Sequence, residues 1–162
     1  MTDSPALLSA TALAAAYRKR RLSPVEATAA VLARIEALDG KVNAFCHRDP
    51  DGALAAARDA EERYRRGEPR SPVDGVPTTV KDLILARNWP TLRGSRTVER
   101  HREWAEDAPA VARLREAGAV LVGKTTTPEF GWKGVTDSPL TGITRNPWKP
   151  PQVGEGGVMP IC

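Results

Sequence analysis

Apolar positions repeat at helical spacing through the first third of the chain and gather into short strand-like runs after it. Ala27, Val31, Ile35 and Leu38 share one face of a 3.6-residue period. Ser23-Pro24-Val25-Glu26 opens that stretch with a capping serine, a first-turn proline and a glutamate three residues past the cap. The pattern predicts a helix from there, with Gly40 placed to end it. Leu54, Ala57 and Tyr64 predict another from about Asp51 to Arg66, stopped by Gly67. A first helix is expected from a Ser4-Pro5 cap through the alanine-rich stretch to about Arg20. Between the later two, Val42-Asn43-Ala44-Phe45 reads as short and extended.

The pattern changes at Glu68. Pro69, Pro72, Gly75 and Pro77 break any helix, and the β-branched run Val76 to Val80 predicts a strand. A long polar stretch containing Trp89-Pro90 and Gly94 follows. Asp107-Ala108-Pro109 then caps a helix carrying Val111 and Leu114 and closed by Gly118. Ala119-Val120-Leu121-Val122 is uninterruptedly apolar, as in a strand buried on both faces. Strand, crossover helix and strand make a βαβ unit with parallel strands. The fold class is therefore α/β: a helical N-terminal segment followed by the start of a mixed sheet. From Gly123 onward, prolines and glycines predict a long loop region of the kind that often carries function. Trp104, Trp132 and Trp148 are expected to fill gaps in the core or loops.

Composition narrows the function classes. With 162 residues, 41% hydrophobic and 27% charged, the chain has the make-up of one soluble domain. Net charge is only +4. The basic runs Arg18-Lys19-Arg20-Arg21 and Arg63-Tyr64-Arg65-Arg66 sit where helices end, where the helix dipole favours cations. No stacking aromatics accompany them, so no nucleic-acid partner is expected. No apolar run approaches the ~18 residues of a membrane span, and the charges around Pro5 to Ala16 are in the wrong order for a signal peptide. Two cysteines, Cys46 and Cys162, make no disulfide framework, so a cytoplasmic protein is expected. His47, His101 and the cysteines lack metal-ligand spacing, and neither metal nor cofactor is expected. In Cys46-His47, adjacent side chains of an extended segment point to opposite faces; a core cysteine beside a surface histidine is expected there rather than a thiol dyad. Gly154-Glu155-Gly156-Gly157 lacks the flanking strand and helix of a phosphate loop.

One residue carries candidate catalytic chemistry. Lys81 ends the predicted strand Val76 to Val80, at the sheet edge where α/β folds place ligands. On that short stretch alone, a surface charge at a strand end is the simpler reading. A lysine serves as a general base only when neutral, so its ordinary pKa of about 10.4 must fall through burial or nearby positive charge.

A longer pattern bears on the choice. Gly75-Val76-Pro77-Thr78-Thr79-Val80-Lys81-Asp82 resembles the segment in which amidase-signature enzymes carry their catalytic lysine. Ala117 to Thr125, Thr127-Pro128-Glu129-Phe130-Gly131, Asp137 to Gly142 and Thr144-Arg145-Asn146-Pro147-Trp148 extend the resemblance in order, so that it covers roughly residues 5 to 148. The resemblance implies hydrolysis of carboxamide C–N bonds by a serine, a cis-linked serine and a lysine, acting through an acyl-enzyme with backbone N–H groups on the oxyanion. It assigns the base to Lys81, and the implied partner is a small-molecule amide.

The resemblance breaks after Trp148. The family continues into Gly-Gly-Ser-Ser-Gly-Gly and a later glycine-flanked serine, whereas this chain has no serine after Ser138. Ser138 itself lies in a block whose family counterpart is not the nucleophile. Residues 1–148 are thus expected to be the N-terminal part of an amidase domain, and residues 149–162 a divergent, disordered tail. The fold would be an incomplete amidase-signature fold with an apolar face and an open sheet edge, features that invite aggregation. The expected function is that of an amidase-family protein inactive in this form. The alternatives are a non-catalytic remnant or interaction fragment and, less favoured, a fragment of an amidotransferase A-type subunit. Substrate and oligomeric state are not written in the sequence.

Overall fold

The computed structural model describes residues 4–148. Four helices and five strands follow in the order α1 (Ala10–Arg18), α2 (Pro24–Val42), β1 (Phe45–Arg48), α3 (Pro50–Arg66), β2 (Pro77–Lys81), α4 (Pro109–Glu116), β3 (Val120–Thr125), β4 (Asp137–Ser138) and β5 (Gly142–Ile143). The mixed α/β class is as expected. The tail 149–162 and its glycine-rich stretch lie outside the described residues.

Several elements follow directly from their local chemistry. Ser23 Oγ accepts from Glu26 N at 3.1 Å, and Ser23 N donates to Glu26 Oε2 at 2.8 Å, so the capping box closes in both directions. Gly67 sits at φ 79°, ending α3 where a side chain would be strained. Two helix boundaries differ from expectation. The first helix begins at Ala10, because Leu8 is extended and Ser9 supplies the cap to Ala12 N; Pro5–Leu7 form only a separate 3-10 turn. Helix α2 runs through Gly40 and stops at Asn43, which takes the left-handed conformation at φ 55°. Asparagine adopts that conformation at low cost, and Asn43 Nδ2 donates to Thr141 O and Ile143 O. The extended segment accordingly starts at Phe45 rather than Val42.

The three-stranded sheet has the order β1-β3-β2. Val120 N donates to Val76 O and Asp82 N donates to Thr125 O, so β2 and β3 run in the same direction, as the βαβ pattern predicts. Asp49 N donates to Val122 O and Thr126 N to Ala44 O, so β1 runs opposite to β3 and the sheet is mixed. The first five residues of β3 are buried and only Thr125 is partly open. Beyond it, the expected loop contains a small antiparallel hairpin in which Asp137 pairs with Ile143 and Ser138 with Gly142.

The chain divides into two compact units. The first comprises the residues up to Ala37 with Asp49–Thr79 and Ala112–Gly123. Its core is Leu13, Tyr17, Ala27, Tyr64 and Val76, with the two tyrosine rings edge-on at 5.4 Å. Tyr17 and Tyr64 stay buried because each hydroxyl finds an acceptor, Gly75 O and Asp74 O respectively. Asp74 is fully buried and held by both Nε and Nη2 of Arg63 at 2.9 and 2.6 Å. The second comprises Leu38–Arg48, Val80–Val111 and the residues from Lys124 onward. It contains Lys81.

Candidate active site

Lys81 is the last residue of β2 and is half-buried. The residue after it, Asp82, turns inward and is almost fully covered. Its carboxylate Oδ1 meets Lys124 Nζ at 2.9 Å, with side-chain exposures of 3% and 0% for the acid and the lysine. Leu92 N donates to Oδ1 at 3.3 Å and Gly94 N to Oδ2 at 3.4 Å.

Lys124 is saturated as well. Its Nζ also donates to Pro90 O at 3.0 Å and to Thr91 Oγ1. Thr91 in turn directs its own hydroxyl hydrogen at Ile84 O, 3.5 Å away, and so faces Lys124 as an acceptor. Three acceptors around Nζ require three N–H bonds, which only the ammonium has. Burial pulls the Lys124 ammonium below its ordinary range, and the adjacent Asp82 opposes that pull. The buried pair thereby ties residues 90–94 to the ends of β2 and β3. Gly94 permits the approach: it sits at φ 65°, and a Cβ there would come within 2.5 Å of Thr127 O.

Asp82 also lines a cavity of about 280 Å³ with Cys46, His47, Pro90, Leu92 and Arg100. That volume lies near the lower end for small-molecule sites. Cys46 Sγ donates to Lys124 O at 3.5 Å, and burial followed by the Asp82 charge pushes its thiol up to about 12. The residue as a whole is nonetheless exposed. The hydrogen bond to Lys124 O holds the sulfur itself on the protein side. Such a thiol is a poor nucleophile at neutral pH.

Other sequence expectations fare unevenly. Burial alternates along β1 as Cys46 and His47 on opposite faces require, yet the order is reversed: His47 is the more covered residue, its ring 5.3 Å from Trp89. A large buried indole on that side of the strand is what draws the histidine in. Ser138 Oγ accepts from Thr141 N at 3.0 Å and meets Thr141 Oγ1 at 2.8 Å, which commits it to the hairpin turn. Trp104 is buried, with Nε1 donating to Arg100 O. Trp132 and Trp148, expected to fill gaps, are 76% and 89% exposed. Among the described residues no group of three or more His, Cys, Asp or Glu side chains is placed to hold a metal ion. No helix among them is long and apolar enough to cross a membrane.

Sequence reasoning places Asp82 and Lys124 within motifs and gives them no part of their own. A signal is present nonetheless: Lys124 follows the apolar run from Ala119 to Val122 within a strand covered on both faces, and a charge there needs a partner.

Residues 26–157 match the profile of the amidase family. The A-type subunit of the glutamyl-tRNA(Gln) amidotransferase of Chloroflexus aurantiacus is 43% identical over 149 residues, covering 92% of this chain and 30% of the relative. The corresponding protein of Salinispora tropica is 42% identical over 161 residues, covering 97% and 32%. Among solved structures, a bacterial aryl acylamidase of the amidase-signature enzymes superposes with a TM-score of 0.81 at 31% identity, over 88% of this chain and 30% of that one. The peptide amidase of Stenotrophomonas maltophilia gives 0.80 at 33%, over 90% and 31%. The chain thus spans about 30% of the length of the relatives it matches.

Proposed function

The chain belongs to the amidase family, and from that premise we propose that it carries the lysine part of a serine-dependent amide-hydrolysing centre. Lys81 is the general base in this reading. It takes a proton, by way of an intermediate serine, from the nucleophilic serine that attacks the amide carbonyl. The substrate is a small-molecule carboxamide, and the setting is the cytoplasm. The observation that carries the reading is the position of Lys81 at the end of β2, one residue before a carboxylate fixed in a buried network beside a cavity.

The serines of that centre are not supplied by residues 139–162. The polypeptide of residues 1–162 by itself is therefore a non-hydrolysing fragment, able at most to bind or associate. Loss of the nucleophile in a serine hydrolase costs about 10⁶ in kcat, which leaves Lys81 nothing to activate. Two measurements test this. Genomic DNA from the codon for Thr144 onward, translated in all three frames, is expected to reveal Gly-Gly-Ser-Ser-Gly-Gly and a later glycine-flanked serine. The polypeptide extended through those segments is expected to hydrolyse amides and to lose that activity with Lys81→Ala. Amide hydrolysis by the purified 1–162 polypeptide that disappears with Lys81→Ala would overturn the fragment reading.

A second reading has a specific observation behind it. The two amidotransferase relatives are 42–43% identical to this chain, against 31–33% for the aryl acylamidase and the peptide amidase. The identities thus run against a leaning towards a stand-alone amidase. In that case the hydrolysed amide is the ammonia donor of a larger assembly, and activity of the extended polypeptide would depend on partner chains.

A further inference from the structure

A general-base lysine is hindered by a carboxylate beside it, because a nearby negative charge favours the ammonium over the neutral amine. Lys81 is followed directly by Asp82, whose Cα is about 3.8 Å away along the chain. Asp82 is buried, so water screens its charge poorly. Left alone, it would hold Lys81 protonated. The structure does not leave it alone: Lys124 places a fully buried ammonium 2.9 Å from Asp82 Oδ1, with its remaining protons on Pro90 O and Thr91 Oγ1.

We propose that Lys124 is a positioning residue for Lys81: by cancelling the Asp82 charge and pinning residues 90–94, it keeps Lys81 from being held as an ammonium. The proposal rests on the reading of Lys81 as base. Other titratable and charged groups at this place, among the described residues, include Cys46 and His47 of β1, Arg93 of the 90–94 segment, and Arg100. None of them opposes Asp82 as directly. Cys46 is uncharged while its thiol is held protonated, and the Arg93 and Arg100 side chains belong to exposed residues. The network also explains why a lysine stands inside an otherwise apolar buried strand.

The test is a site-resolved titration of lysines in the dilute polypeptide. Trace acetylation with acetic anhydride across the pH range, read at each lysine by mass spectrometry, gives separate midpoints for Lys81 and Lys124. Lys124→Met is expected to raise the Lys81 midpoint by about one pH unit, since Asp82 is then unopposed. Asp82→Asn, which leaves the buried ammonium unopposed, is expected to lower it. The double variant Asp82→Asn/Lys124→Met is expected to return it close to the parent value. Should Lys124→Met lose its near-ultraviolet circular dichroism, Asp82→Asn and the double variant carry the test with the opposite sign. An unchanged Lys81 midpoint in the single variants, or a double variant as shifted as a single one, overturns the proposal. So does a parent chain in which Lys124 labels like a solvent-exposed lysine. The reading of Lys81 as base fails by a different observation, persistence of hydrolysis by the extended polypeptide after Lys81→Ala.

Discussion

In the first unit the large aromatic residues are interior: Tyr17 and Tyr64 meet edge-on, each with its hydroxyl on a backbone carbonyl. In the second, Trp89 and Trp104 are buried, but Phe130, Trp132, Val135, Ile143 and Trp148 all stand exposed within one stretch of nineteen residues. The first unit closes an apolar core around helices. The second holds its loops with polar pins, chiefly Lys124 and Asp82, and leaves apolar surface over. Exposed apolar side chains gathered in one stretch are the kind of surface that other groups cover. The chain spans about 30% of the length of its relatives.

The largest effect is expected in the first unit, at Arg63. Its guanidinium is the bidentate partner of the fully buried Asp74 carboxylate. Arg63→Ala strands that charge, leaving it the amide of Arg70, and should cost about 3–5 kcal/mol of stability. Urea unfolding measures the loss, and hydrogen exchange should place it in the first unit. A loss below about 1 kcal/mol would mean that Asp74 reaches water and that this unit is less closed than described.

The second unit is probed by its thiol. Folding favours the protonated form of Cys46, so the sign is clear: the contribution to stability is present at neutral pH and is lost as pH climbs from about 9 towards about 12. In a Cys162→Ser background, alkylation of Cys46 at pH 8 should be about ten-fold or more slower than that of a free thiol, since the thiolate reacts. A rate equal to that of free cysteine would show that the sulfur follows the exposure of its residue rather than its bond to Lys124 O.

A smaller effect of opposite sign is expected at Thr28. It is fully buried in α2, and its Oγ1 has no hydrogen-bond partner. Thr28→Val keeps the shape and removes the unanswered hydroxyl, so the variant should gain about 1 kcal/mol. Thermal unfolding reads the gain; a loss would reveal a water or group satisfying that oxygen.

How much of this was legible in the sequence also differs between the units. The capping box at Ser23 and the stop at Gly67 are local, and local chemistry is what a sequence displays. The parallel pair β2 and β3 was readable because its apolar runs flank a helix-length connection. Helix α2 running past Gly40 was not, because the stop depends on Asn43 gripping Thr141 and Ile143, about a hundred residues on. A motif singles out Lys81 as a candidate, but nothing in the sequence singles out the network beside it: Lys124 and Asp82 lie 42 positions apart and meet only in the fold. Trp132 and Trp148 stand exposed, contrary to the sequence expectation, for a related reason. A tryptophan is buried wherever there is something to bury it against, and that something is not written beside it.

The smallest effect is expected at Trp132. The ring is 76% exposed, with Lys133 Nζ 5.6 Å from its centroid. An exposed cation–π contact is worth about 0.5–1 kcal/mol at best, and little apolar area is lost on truncation. Trp132→Ser should therefore change stability by less than about 1 kcal/mol, while reducing self-association seen by light scattering, because a large apolar side chain leaves the surface. Tyr17→Ser, removing a large aromatic from the first unit's core, should cost about 3–5 kcal/mol. If the two substitutions cost the same, the second unit packs Trp132 after all, and the contrast between a closed unit and one awaiting cover is lost.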